Sequence, residues 1–106
     1  MKNLKDLINI DKHKYAKSVL LTAGHLGKEE NLEVYVVGGF VRDLLMQQPL
    51  NDIDLMVVGD GISFAKKLAR KLGQKKIIRF TNFGTAIIPN KKMSILVATA
   101  RSVSYS

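Results

Sequence analysis

These 106 residues predict an α+β (mixed α/β) domain, a mixed β-sheet of about five strands with helices packed on it. Three observations carry that expectation. Stretches with apolar residues at helical spacing are interleaved with short β-branched runs, in the order α, β, α, β, α, β, β, β. Glycine, proline and asparagine fall between them, where turns are needed. The length admits one compact domain with a modest core, and no repeat or low-complexity tract divides it.

The elements follow in order. Residues 11–26 place Tyr15, Ala16, Val19, Leu20, Ala23 and Leu26 at helical spacing, with Gly27 as the expected stop. The run EVYVV (33–37) is a strand, and FVRDLLM (40–46) is a short helix beginning straight after Gly38 and Gly39. DIDLMVV (52–58) is a second strand, closed by a Gly59-Asp60-Gly61 turn. ISFAKKLARKLG (62–73) is an amphipathic helix whose apolar stripe is Ile62, Ala65, Leu68, Ala69 and Leu72, with Gly73 as its C-terminal cap. Lys66, Lys67, Arg70 and Lys71 face outward from it. Three strands complete the chain at 75–80, 85–88 and 94–98, the last two joined by a Pro89-Asn90 turn.

Composition narrows the chemistry. With no cysteine, disulfides, thiolate zinc sites and cysteine nucleophiles are excluded. His13 and His25 are the only histidines, and nothing around them points to a catalytic triad. No apolar stretch is long enough to span a membrane, and the charged opening MKNLKDLINI has no signal-peptide core, so a cytoplasmic location is expected. The net charge of +8 is unevenly placed. All nine carboxylates lie at or before Asp60, against seven Lys and Arg there, whereas ten basic residues and no acid follow. A basic half of this kind suits a polyanion such as RNA, with Lys66, Lys67, Arg70, Lys71, Lys75 and Lys76 as the contacts; a solvated lysine-rich surface is the plainer alternative.

The stretch VYVVGGFVRDLLMQQPLNDIDL holds the most chemistry. Strand side chains alternate, so Asp52 and Asp54 project to one face while Ile53 and Leu55 enter the core. Two carboxylates so close repel unless a cation lies between them, and a hard divalent ion such as Mg²⁺ fits oxygen donors of this kind. A pair of such ions about 4 Å apart is the usual device for in-line nucleotidyl transfer. Gly38 and Gly39, where a strand turns into a helix, leave backbone N–H groups open to a phosphate. Arg42 in the first helical turn has the charge to bind a phosphate oxygen or orient a carboxylate, while Asp43 beside it has no evident task. Taken singly, a Gly-Gly is a turn, an Asp-x-Asp a strand end and an Arg-Asp a surface pair. Their joint order points to nucleotidyl transfer.

These motifs also resemble a family. VVGGFVRDLL followed by NDIDLMVVGDG is similar to the head domain of class II tRNA nucleotidyltransferases, the CCA-adding enzymes and the related bacterial poly(A) polymerases of the DNA polymerase beta-like superfamily. The resemblance continues through ISFAKKLARKLG, FTNFGTAII and ATARSVSY. It implies that Asp52 and Asp54 bind catalytic Mg²⁺ ions in a two-metal mechanism. It assigns the triphosphate of ATP or CTP to Gly38, Gly39 and Arg42, with Asp43 alongside, and makes an RNA 3′ end, with tRNA first in view, the acceptor. It also implies that residues 1–106 are the catalytic head alone, without the neck, body and tail domains of full-length relatives. Phe83-Gly84-Thr85-Ala86 matches a family stretch on a strand near the site, although a glycine entering a strand reads equally well.

Two departures stand out. Relatives carry a third carboxylate on a strand after the FGTA stretch, where this chain has Leu96, and a glutamate in an Arg-x-Glu-x-Tyr stretch, where it has Val103. The Arg-Arg-Asp motif expected next does not occur within residues 1–106. Two readings follow. One is a nucleotidyltransferase head that transfers NMP to RNA. The other is a degenerate or truncated head that binds nucleotide or RNA without turnover. A small stand-alone nucleotidyltransferase acting on a protein or a drug is a third, which the seven basic residues of 66–79 disfavour.

Overall fold

A computed structural model of the chain describes residues 10–37 and 52–100, with side chains from residue 14 in the first stretch. The predicted helix 40–46 lies outside the described residues. Two helices and a five-stranded mixed sheet make up the described fold.

Helix α1 (Ile10–Glu30) buries Ala16, Val19, Ala23 and Leu26, a stripe with spacings of three and four residues. The helix does not stop at Gly27 as the sequence suggested. It runs one turn further and ends at Asn31, which takes a left-handed φ of 57°. There the Leu32 N–H donates to Gly27 O at 2.8 Å and the Asn31 N–H to Lys28 O at 3.2 Å, the two bonds of a Schellman cap. Gly27 serves packing instead. A Cβ there would lie 3.0 Å from Val34 Cγ2 and 3.1 Å from Leu32 O, so the missing side chain lets the returning chain lie against the helix.

Strand β1 (Glu33–Val37) pairs antiparallel with β2 (Asp52–Val58). Helix α2 (Gly61–Lys71) follows, with Asp60 as its N-cap: the Asp60 carboxylate accepts from Ser63 N–H at 3.1 Å. What read as a plain turn is thus a capped helix start. At the other end Gly73 takes φ +73°, and Gln74 N–H donates back to Ala69 O, which bears out the glycine cap. Phe64, absent from the predicted apolar stripe, is the largest fully buried side chain among the described residues.

Strand β3 (Ile78–Phe80) begins three residues later than predicted, which leaves Lys75 and Lys76 outside the sheet. A 3₁₀ turn (Thr81–Phe83) leads into β4 (Thr85–Ile88), and Asn90 Oδ1 accepts from Lys92 N–H at 2.8 Å in the turn before β5 (Ser94–Ala100). The sheet order is β1-β2-β5-β4-β3, with β2 and β5 parallel and every other pair antiparallel.

Both helices pack on the same side of this sheet. Ile53, Leu55 and Val57 of β2, Ile95 and Val97 of β5, and Ala86 and Ile88 of β4 meet Phe64, Leu68 and the α1 stripe there, and are buried. Each large side chain so buried contributes about 1.5–3 kcal/mol. No described helix covers the other side.

Candidate active site

The alternation of β2 decides where its acids go. Ile53, Leu55 and Val57 are buried on the helix side, so Asp52 and Asp54 stand on the open side at the start of the strand. Asp52 is exposed and Asp54 half-buried. Burial raises the Asp54 carboxyl above its ordinary value, and the neighbouring Asp52 charge raises it further. The structure therefore brings the two predicted acids together as a strained like-charge pair, the electrostatic condition for capturing a cation.

Their neighbours come from the register. Val37, the last residue of β1, pairs with Asp54. On the β5 side Ser94 is opposite Asp52 and Leu96 opposite Asp54. Leu96 thus occupies about the strand position at which the family resemblance implies a third carboxylate. Ile87 of β4 and Ile78 of β3 continue the same row, so the open face beside Asp54 is apolar. Among the described residues no group of three His, Cys, Asp or Glu side chains is gathered to hold a metal.

Gly38, Gly39, Arg42 and Asp43 lie outside the described residues, as does Val103. Gly38 follows Val37 directly in the sequence, so the chain enters the Gly-Gly pair from the strand end beside Asp54.

The basic candidates separate. Lys66 and Arg70 are exposed on one side of α2. Lys67 and Lys71, one step round the helix, pair with α1: Lys67 with Glu30, and Lys71 Nζ with a Glu29 carboxylate oxygen at 3.1 Å. A groove of about 300 Å³ between the two helices is lined by these ion pairs together with Arg70 and Leu26. Because α2 packs on the covered side of the sheet, its basic residues are on the opposite side from Asp52 and Asp54.

Sequence reasoning missed one residue that organises the fold. Thr99 Oγ1 accepts from Gly61 N–H at 2.9 Å and donates to Gly84 O at 2.6 Å, while Thr99 N–H donates to the same carbonyl at 3.1 Å. It joins the start of α2, the end of β5 and the FGTA stretch. Gly84 has φ +63°, and a Cβ on it would lie 3.0 Å from Thr99 Oγ1. A turn requirement explains Gly84 better than strand entry does. Thr85, next along, is half-buried and lies on the open face with the acids. The only sequence signal for Thr99 was a polar residue at the end of an apolar strand.

Comparisons with known proteins identify the family and the fold. A family described as the poly(A) polymerase head domain matches residues 34–106. An A-adding tRNA nucleotidyltransferase of Geobacter sulfurreducens is 46% identical over 71 residues, covering 67% of this chain and 8% of that protein. The A-adding tRNA nucleotidyltransferase of Halalkalibacterium halodurans is 30% identical over 105 residues, covering 98% of this chain and 24% of its own. Among solved structures, a CCA-adding enzyme in complex with ATP superposes with a TM-score of 0.72 at 37% identity, over 89% of this chain and 23% of that one. A tRNA nucleotidyltransferase with a primer tRNA and an incoming ATP analogue gives 0.67 at 40% identity, over 77% and 24%. The chain thus spans less than a quarter of the length of these relatives.

Proposed function

Since this chain belongs to the poly(A) polymerase head-domain family, we propose that it is the catalytic head of a template-independent RNA nucleotidyltransferase, taking ATP or CTP as donor and the 3′ end of an RNA, tRNA foremost, as acceptor. The observation that carries this reading is the pairing of Asp52 and Asp54 on the open face at the start of β2, beside the strand end that leads into Gly38-Gly39. The named partners of the similar structures, primer tRNA, ATP and CTP, support it.

Enzymes of this family generally use divalent metals, and the donor set here fits one. Two adjacent carboxylates on an open face, one of them destabilised by burial and further by the other's charge, suit a hard divalent cation, for which we propose Mg²⁺. When bound, it supplies positive charge against the triphosphate oxygens. Asp52 and Asp54 hold it. Gly38 and Gly39 supply backbone N–H groups to the phosphates, and Arg42 supplies a charge-assisted hydrogen bond. Lys66 and Arg70, on the far side of the sheet, contact RNA phosphates away from the reacting end.

Leu96 opposite Asp54 favours a second reading, a head that holds nucleotide without transferring it. The test of the main reading is calorimetry of ATP and CTP binding with and without Mg²⁺, on this chain and on Asp52→Ala/Asp54→Ala. Binding that requires Mg²⁺ and disappears in the double variant is the expected result. A folded chain that binds neither nucleotide overturns the reading.

A further inference from the structure

We propose that Leu96 denies a second divalent cation a ligand on β5, so that the described strands seat a single cation in complex with a nucleoside triphosphate. The inference rests on Asp52 and Asp54 being the cation ligands and concerns how many ions they can hold.

The register supplies the geometry. Leu96 is the direct partner of Asp54 across the parallel β2–β5 pair, and both side chains are on the open face. Adjacent strands are about 4.8 Å apart, so the leucine stands beside the carboxylate. Ile87 backs Leu96 in the same row, and Val37 flanks Asp54 from β1. Asp54 therefore has an apolar neighbour on each side. The cross-strand partner of Asp52 is Ser94, whose neutral hydroxyl brings no charge.

Electrostatics then limits the count. Two divalent ions about 4 Å apart repel by about 4 kcal/mol even at the dielectric constant of water, and more in a partly desolvated site. Holding both takes a bridging carboxylate and further anionic oxygens on the strands around it. A leucine side chain offers no oxygen, and hard cations do not accept carbon neighbours in place of donors. The other described acids have different partners: Glu29 and Glu30 pair with lysines of α2, Glu33 bonds to Tyr35 at the far end of β1, and Asp60 caps α2. One cation is stabilised jointly by the two acids and the triphosphate oxygens. Among the described residues the second has no comparable set.

The experiment is equilibrium dialysis with Mn²⁺ and a non-hydrolysable ATP analogue, measuring both on the chain at saturation. The unaltered chain is expected to retain one Mn²⁺ per analogue. Leu96→Asp is expected to double the ratio to two, and Leu96→Asn, which adds polarity and no charge, to leave it at one. Circular dichroism checks that the variants are folded; Leu96 is only partly buried, on the face that no described helix covers, a position that tolerates a polar side chain. Two Mn²⁺ per analogue on the unaltered chain overturns the inference whatever residue supplies the second seat, and that outcome stands even if Leu96→Asp fails to fold. A folded Leu96→Asp that stays at one also overturns it. If the unaltered chain retains no analogue, both the inference and the proposed function fail, whereas retained analogue with two cations defeats the inference alone.

Discussion

Lys71 of α2 reaches Glu29 of α1, with Nζ 3.1 Å from the carboxylate oxygen, and Lys67 pairs with Glu30 one turn earlier on the same side of the helix. Four charges that the sequence displays in two separate places thus meet along one seam. The positive charge of α2 is left concentrated on Lys66 and Arg70.

That division predicts how RNA binding responds to mutation. Lys66→Ala/Arg70→Ala should weaken binding of a single-stranded RNA and lower the slope of log affinity against log salt by about 1.4, the loss of two phosphate contacts. Lys67→Ala/Lys71→Ala should change that slope less and lower stability by no more than about 1 kcal/mol per pair lost, because exposed ion pairs contribute little. Filter binding across a salt series, with thermal melts of the same proteins, separates the two. Equal slopes in both double variants would refute the division.

Asp54 gives the site a pH signature. A carboxyl raised in the folded protein favours folding most when protonated: its contribution is complete below its unfolded pKa of about 3.9 and is lost as pH rises through the higher folded value. In the absence of divalent cations Asp54 therefore costs stability at neutral pH. Asp54→Asn should raise the melting temperature at pH 7, by the equivalent of at most about 0.5 kcal/mol since the half-buried group is still screened by solvent, and the gain should vanish as pH falls below about 4. A variant less stable than the parent at pH 7 in a chelator would contradict this assignment.

Thr99 is the mutation-sensitive knot. Thr99→Val keeps the shape but leaves Gly61 N–H without its acceptor and removes one of the two donors to Gly84 O. The expected cost is about 1–3 kcal/mol, a drop of at least about 4 °C in melting temperature for a domain of this size. Thr99→Ser retains the hydroxyl and should recover most of the loss. A valine variant as stable as the serine one would show that the hydroxyl bonds contribute nothing.

How much of this was legible beforehand depended on the range of the forces involved. Periodicity reports which face of one element is buried, so the strand 52–58, the stripe of α2 and the five-stranded mixed sheet could all be read from the chain. The outward pairing of Asp52 and Asp54 follows from strand alternation alone. Boundaries were less legible. Gly27 looked like a helix stop because glycine in a helix costs about 1 kcal/mol, but the burial of Leu26 and the Schellman cap at Asn31 outweigh that cost. Phe64 stands outside the stripe of Ile62, Ala65, Leu68, Ala69 and Leu72 because its depth in the core depends on what the sheet places opposite.

The sequence by itself determined the fold class, the order of the described elements and the identity and facing of the two acids, because each rests on covalent order and on periods of two or 3.6 residues. Only the tertiary structure decided which residue stands next to Asp54, which lysines are neutralised, and that Thr99 binds Gly61 and Gly84. Those are pairings between residues 15 to 42 positions apart, set by how strands register and helices dock. No local pattern encodes such distances; they appear once the buried faces of the sheet and helices have closed on one another.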